Sequence, residues 1–222
     1  MRDSLGVGLA TGTYGVSFGA VAVASGLSVA QTCALSLLMF TGASQFALVG
    51  VLAAGGAPLS GALAALLLGT RNTLYGLRLA RLLSYAGWRR AAASHVLIDE
   101  STAMAVNRTS TAAARTGFLT TGVTIFVLWN VATAVGAVAG TAIGDPRDYG
   151  LDAAVGAAFL ALLWPRLHSA LHRWVAVAAA AVALGAVPFT AAGVPVLAAA
   201  GVALLIGLLT HFRVADLPVE DR

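Results

Sequence analysis

Long apolar stretches with few or no charges recur along this chain, and they leave few folds open to it. Seven of them reach the 17–25 residues that a bilayer-spanning helix needs: 6–27, 31–54, 58–80, 118–142, 149–165, 174–192 and 194–212. Of 222 residues, 59% are hydrophobic and 10% charged, against about 25% charged in a soluble domain. A water-soluble core of this size cannot hide so much apolar surface. Composition therefore excludes an ordinary cytosolic enzyme, a disordered tail and a disulfide scaffold. The expected fold is an all-α membrane protein, one polytopic helical bundle over residues 1–222 with about seven transmembrane helices, some broken at midplane.

Punctuation supports these boundaries. Pro58, Pro146, Pro165 and Pro195 stand at segment ends, where a missing N–H costs least, while Pro188 lies near the end of the sixth stretch. Gly26, Gly55–Gly56 and Gly193 mark tight connections. The N-terminal apolar run has a faint likeness to a signal peptide but meets no cleavage site, so it reads as a retained first helix. Cys33 is the only cysteine, which excludes an internal disulfide and a cysteine metal cluster.

All 13 basic residues are arginines, and they flank the apolar stretches rather than forming a nucleic-acid-reading face. Residues 81–117 are too polar for a confident span: they hold Arg81, Arg89, Arg90, His95, Asp99, Glu100, Arg108 and Arg115. If this piece re-enters instead of crossing, those arginines join Arg78, Arg166, Arg173 and Arg213 on one side. The acidic Asp145–Asp148 loop is then left on the other. That split obeys the positive-inside rule, puts the C-terminus in the cytoplasm, and, with seven crossings, puts the N-terminus outside.

Polarity interrupts four stretches at one depth. The centres are Thr11–Ser17 with Tyr14, Thr41–Gln45 with Ser44, Gly69–Asn72, and Trp129–Asn130. Glycines beside hydrogen-bonding residues suit either close helix packing or discontinuous transporter helices whose half-helix ends face a substrate. Arg71 is the sharpest case, because an arginine at the bilayer centre costs about 2.5–3.5 kcal/mol and marks function by default. Its anion is Asp99, Glu100, Asp152 or a substrate carboxylate. Asp152 near a helix start also suits an N-cap. Asp99 and Glu100 point about 100° apart on a helix, so one can pair with arginine while the other titrates.

Other motifs carry less. His168 and His172 have i, i+4 spacing but no third ligand nearby, so they read as interfacial polar residues and no metal site is expected. Trp88, Trp164 and Trp174 fall near span ends, as in an aromatic belt. No catalytic set emerges and no enzyme activity is expected. Nor is there a phosphate-binding Gly-rich loop with its lysine, so no nucleotide and no other cofactor is expected, and energy would come from an ion gradient.

Four elements together resemble the AzlC family, the large subunits of branched-chain amino-acid exporters. Thr41-Gly42-Ala43-Ser44-Gln45-Phe46 resembles its Gly/Ala-Ala-Gln-Phe element, and Thr70-Arg71-Asn72-Thr73-Leu74-Tyr75-Gly76 its Asn-Leu-Arg-His…Tyr-Gly segment. Asp99-Glu100-Ser101-Thr102-Ala103 resembles its Asp-Glu-Thr/Ser element, and Gly150-Leu151-Asp152 its Gly-Leu-Asp. Asn72 departs from the usual histidine, and Thr70-Arg71 from Leu-Arg. The resemblance implies export of small apolar amino acids across a bacterial cytoplasmic membrane, with a small four-helix AzlD-type subunit as partner.

The residues then expected to meet substrate are Tyr14, Ser44, Gln45, Phe46, Arg71, Asn72 and Asn130. Those expected to carry protons are Asp99, Glu100 and Asp152. Two rival readings are an exporter of another small metabolite and a non-transporting assembly subunit whose polar midplane only joins helices.

Overall fold

The computed structural model describes residues 2–142, 160, 163–164 and 167–215. Every regular element among the described residues is helical. The first stretch is two helices, α1 (Arg2–Thr13) and α2 (Gly15–Ala24), broken at Tyr14. The second is also two, α3 (Val29–Leu38) and α4 (Ala43–Ala53). There follow α5 (Pro58–Leu83), α6 (Gly87–His95), α7 (Asp99–Val106) and α8 (Thr111–Ala142). The chain ends on α9 (Ala170–Ala186), a 3-10 turn at Val187–Phe189, and α10 (Val194–Ala215).

The 32-residue α8 is the axis of the bundle. Along one side, Gly8, Gly12, Gly15 and Gly19 of α1–α2 press on Thr124, Leu128, Trp129 and Thr133 of α8 in ascending order, so these helices run parallel. The approach is closer than any side chain allows. A Cβ on Gly15 would lie 2.5 Å from the Trp129 carbonyl oxygen, and one on Gly136 would overlap the Val16 carbonyl. With lipid as apolar as leucine, such backbone contact is what joins helices in a membrane. The packing role of Gly12 and Gly15 is therefore visible directly.

Directions of packing correct the expected topology. Ser36 Oγ lies 3.4 Å from Thr133 Oγ1 and the Phe40 ring 5.1 Å from that of Phe126, so α3 descends antiparallel to α8 to its mid-height. The chain then turns back. Gln45 Nε2 reaches the Leu35 carbonyl, and α4 climbs beside α5, with Ser44 against Gly69 and Leu48 against Gly61. The stretch 31–54 is thus a helical hairpin with both ends at one end of the bundle, not a single crossing. Hydropathy sees its apolar length but not its turn.

Residues 81–117 fold as the reverse device. α6 rises from the end of α5 to His95, whose ring lies 5.4 Å from that of Phe126. α7 then descends antiparallel to α8, with Val96 packed on Gly122 and Met104 on Gly117. Both ends lie beside Leu83 and Arg115, at what is here called the basic end. There Arg115 Nε donates to the Leu83 carbonyl at 2.7 Å, closing the carboxyl terminus of α5 with a cation where the helix dipole favours one. The two hairpins meet at mid-height, where His95 Nε2 donates to the Leu37 carbonyl at 2.8 Å.

Since α1 runs parallel to α8, residue 2 lies at the basic end, and α10, which leaves Gly193 beside Ser60 and Val51, runs toward that end too. A single crossing at 31–54 would have carried the chain to the other end of the bundle; as a hairpin it returns to the end it started from, and among the described residues both α1 and α10 have their outer ends toward the basic end. Three helical stretches among the described residues are long and apolar enough to cross a bilayer: Ser4–Ala24, Thr111–Ala142 and Ala170–Phe189. α5 has 26 residues, about 39 Å at 1.5 Å per residue, but carries Arg71, Arg78 and Arg81. It and α8 run unbroken through Gly69–Asn72 and Trp129–Asn130. The expected span 149–165 lies almost wholly outside the described residues.

Two side-chain clusters fill the bundle. One at mid-height joins Phe18, Phe40, Phe46, Ile98, Ile125 and Trp129. The other, toward the basic end, joins Leu79, Leu83, Leu97 and Phe118. Outward faces are apolar: Leu74, Leu184 and Phe189 are exposed, the last by 85%. A surface of that kind matches lipid rather than water.

Candidate functional site

The tips of the two hairpins face each other across a cavity of about 260 Å³. Phe40–Ala43 line it from one tip and Ile98–Glu100 from the other. Tyr14, Phe46, Ile125 and Trp129 supply apolar wall, and Arg71 enters from α5. Each tip is a helix start held by the side chain three residues on. Gly42 takes φ +62°, ψ −92°, a conformation closed to residues with a Cβ, and its N–H donates to Gln45 Oε1 at 3.1 Å. At the other tip the Ile98 N–H donates to Ser101 Oγ at 3.0 Å, and that hydroxyl lies within 2.9 Å of the Val96 carbonyl and 3.1 Å of the Ile98 carbonyl. Two helix amino termini, those of α4 and α7, therefore converge on one mid-height space.

Arg71 finds its anion in Asp99. Nη1 lies 3.2 Å from Oδ2, and both side chains are 23% exposed. Asp99 opens α7, where the dipole favours negative charge. The pair leaves capacity over: Arg71 Nε, Thr41 Oγ1 and Trp129 Nε1 have no hydrogen-bond partner among the described residues, although each is buried. A buried polar group without a partner costs about 1–3 kcal/mol, and all three residues line the cavity from different elements, which marks a place that a polar ligand can satisfy.

The residues singled out from sequence divide. Tyr14, Phe46, Arg71, Asp99 and Glu100 are brought together on the cavity. Phe46 packs edge-on to Tyr14, Phe18 and Trp129, at 6.4, 5.5 and 6.3 Å between ring centroids. Ser44 is buried behind the wall, against Gly69. Gln45 is 0% exposed and spends both ends of its amide on the hairpin, so its polarity serves the turn. Asn72 lines a neighbouring cavity, and Asn130 Nδ2 donates to the Phe126 carbonyl at 2.8 Å within its own helix. Asp152 lies outside the described residues. His172 Nδ1 lies 2.6 Å from Ser169 Oγ at the start of α9, and both residues are exposed.

Sequence reasoning missed Thr41, Ile98, Ile125 and Trp129. A signal for the last two existed. Phe118, Gly122, Ile125, Trp129, Thr133 and Gly136 repeat at helical spacing, and all are buried on one face of α8. That register selects Trp129 over its neighbour Asn130.

Fold and cavity define a helical membrane protein with a charged, aromatic-walled chamber at mid-height. The family model described as AzlC protein matches residues 6–143, and the chain belongs to the AzlC family. That membership agrees with a membrane protein of the amino-acid exporter type. No curated protein matches the chain. No solved structure matches it.

Proposed function

We propose that this protein is the large subunit of a two-component exporter of branched-chain or similarly small apolar amino acids in a bacterial cytoplasmic membrane, coupled to protons. The observation that carries the reading is the chamber between the hairpin tips. A zwitterion needs a cation for its carboxylate, an anion for its ammonium and an apolar wall for its side chain. Arg71, the Asp99–Glu100 pair and the Phe46–Trp129 wall offer these within one space. By the positive-inside rule the basic end faces the cytoplasm. Asp99 and Glu100 are the groups assigned to the coupling proton, since carboxylates in membrane segments commonly form relays. An AzlD-type membrane subunit is the assigned partner.

The test is efflux of preloaded labelled leucine from cells that carry this protein, alone and with such a small subunit, against cells that lack it. Faster efflux that Arg71→Ala abolishes, with that variant still present in the membrane, supports the reading. Efflux unaffected by the protein in either setting rejects it.

A further inference from the structure

Beside the central chamber lies a second cavity of about 400 Å³, between α5 and α6. Its lining is periodic on both helices. Asn72, Gly76, Leu79, Ala80 and Leu83 share one face of α5, and Arg90, Ala93 and Ser94 one face of α6. Small residues turned toward each other, Gly76 and Ala80 against Ala93 and Ser94, ordinarily let two helices close to backbone contact. Here a cavity stands between them instead. Ala93 is the one buried residue of α6, while Leu77 and Ser94 line the space and are also exposed. The cavity is therefore a cleft open sideways within the apolar part of the bundle, about 16 Å long from Asn72 to Leu83 at 1.5 Å per residue.

The two ends of the cleft differ in chemistry. Leu77, Leu79, Leu83, Leu97 and Phe118 make most of its wall apolar, and Tyr85 and Arg90 stand toward the basic end. Arg90 has no hydrogen bond or ion pair among the described residues, and no described carboxylate lines the cleft. Arg81, and Arg89 with its guanidinium 5.7 Å over the exposed Trp88 ring, add positive charge at the same end. An exposed tryptophan beside arginines is the pattern of a membrane interface. We propose that the cleft binds an anionic glycerophospholipid from the leaflet at the basic end, with one acyl chain between α5 and α6 and the phosphate at Arg90 beside Tyr85. A small zwitterion would leave most of the apolar length unfilled, and a neutral lipid brings no net charge to the arginines; an anionic lipid answers both ends. The inference does not rest on the transport reading.

The test reconstitutes the full chain in phosphatidylcholine bilayers doped with phosphatidylglycerol whose acyl chain carries a diazirine. After illumination, adducts are mapped by peptide mass spectrometry. They are expected to concentrate on residues 76–83 and 93–97, whereas the same acyl chain on a phosphatidylcholine head scatters over exposed faces such as Val131 and Leu184. Arg90→Gln should lower the cleft adducts about fivefold, the factor that one arginine near an anionic surface contributes. Arg78→Gln, which alters an exposed arginine of α5 outside the lining, should leave them unchanged. Ala80→Phe fills the cleft and should remove the adducts with every arginine in place; Ser94→Phe fills it from α6 and serves if Ala80→Phe does not reach the membrane.

Adducts absent from the cleft overturn the site. Equal labelling by the two head groups, or an equal loss in Arg78→Gln and Arg90→Gln, overturns the anionic assignment. A free fatty acid that displaces the labelled lipid as well as phosphatidylglycerol does would give the cleft to a chain with a carboxylate. Adducts that vanish when a small membrane subunit copurifies would give it to that subunit. Either result rejects the phospholipid.

Discussion

Arg71 Nη1 of α5 and Asp99 Oδ2 at the start of α7 lie 3.2 Å apart, and their contact joins a continuous helix to the tip of a hairpin that turns back at mid-height. Each residue makes the other tolerable there. Removing one partner takes the counter-charge from a partly buried ion, which costs more than the pair itself contributes.

Arg71→Ala and Asp99→Asn are therefore each expected to lower stability by about 1–2 kcal/mol, discounted from a fully buried pair for their partial exposure. Arg71→Lys should lose less stability than either, yet still transport poorly, because ammonium lacks the planar fork. Thermal unfolding in detergent, run beside leucine efflux, separates the two effects. Equal stability of Arg71→Ala and the native protein would show that the pair does not hold the tip.

Both ends of the α3–α4 hairpin belong to the end of the bundle away from the arginines. Cysteines at Ser28 and Ala54, in a Cys33→Ser background, should react with impermeant reagent added outside intact cells. Cysteines at Arg89 and Ser110 should react only in everted vesicles. Opposite reactivity of positions 28 and 54 would mean that 31–54 crosses after all.

Close backbone contact between α2 and α8 sets a further expectation. Gly19→Leu drives a side chain into the Thr133 carbonyl and should remove most folded protein from the membrane. Gly6→Ala meets nothing within 4 Å and should be neutral or slightly stabilising, since alanine favours helix by about 1 kcal/mol. Fluorescence-detected size exclusion of tagged variants gives the answer. Wild-type yield from Gly19→Leu would mean the helices do not meet as described.

Trp129 is 3% exposed, and its ring lies 6.1 Å from that of Phe18 in a stacked arrangement. Trp129→Phe keeps an aromatic ring in place and deletes the indole N–H. If that group meets solute, half-maximal leucine concentration should rise about tenfold while expression holds. An unchanged concentration dependence would confine Trp129 to packing.

Proton coupling is tested in proteoliposomes with and without an imposed pH gradient. Leucine flux should follow the gradient in the native protein and lose that dependence in Asp99→Asn, in Glu100→Gln, or in both. Flux indifferent to the gradient in the native protein would end the assignment of these carboxylates.

Hydropathy located the apolar stretches because length and composition are all it reads, and for the same reason it could not tell a hairpin from a crossing. α3, its turn and α4 together have the length of one span, and only contacts such as Gln45 with Leu35 reveal the reversal. Arg71 was legible because a charge amid apolar sequence has few innocent explanations, and Asp99 because it was one of three acids within reach. Gln45 misled: a buried amide at mid-depth looks the same whether it waits for a ligand or, as here, satisfies Gly42 and Leu35. The second cavity was not legible at all, since it depends on how α6 lies along α5 and no periodicity records that.

The mid-height position of the hairpin tips has an electrical consequence. A resting membrane drops its voltage across the thickness of the bilayer, worth about 2.3 kcal/mol per elementary charge for each 100 mV crossed in full. A charge released at the tips has roughly half of that drop on either side of it. Every ionic rearrangement in the chamber is then also a small current, its direction and size set by which charges travel together.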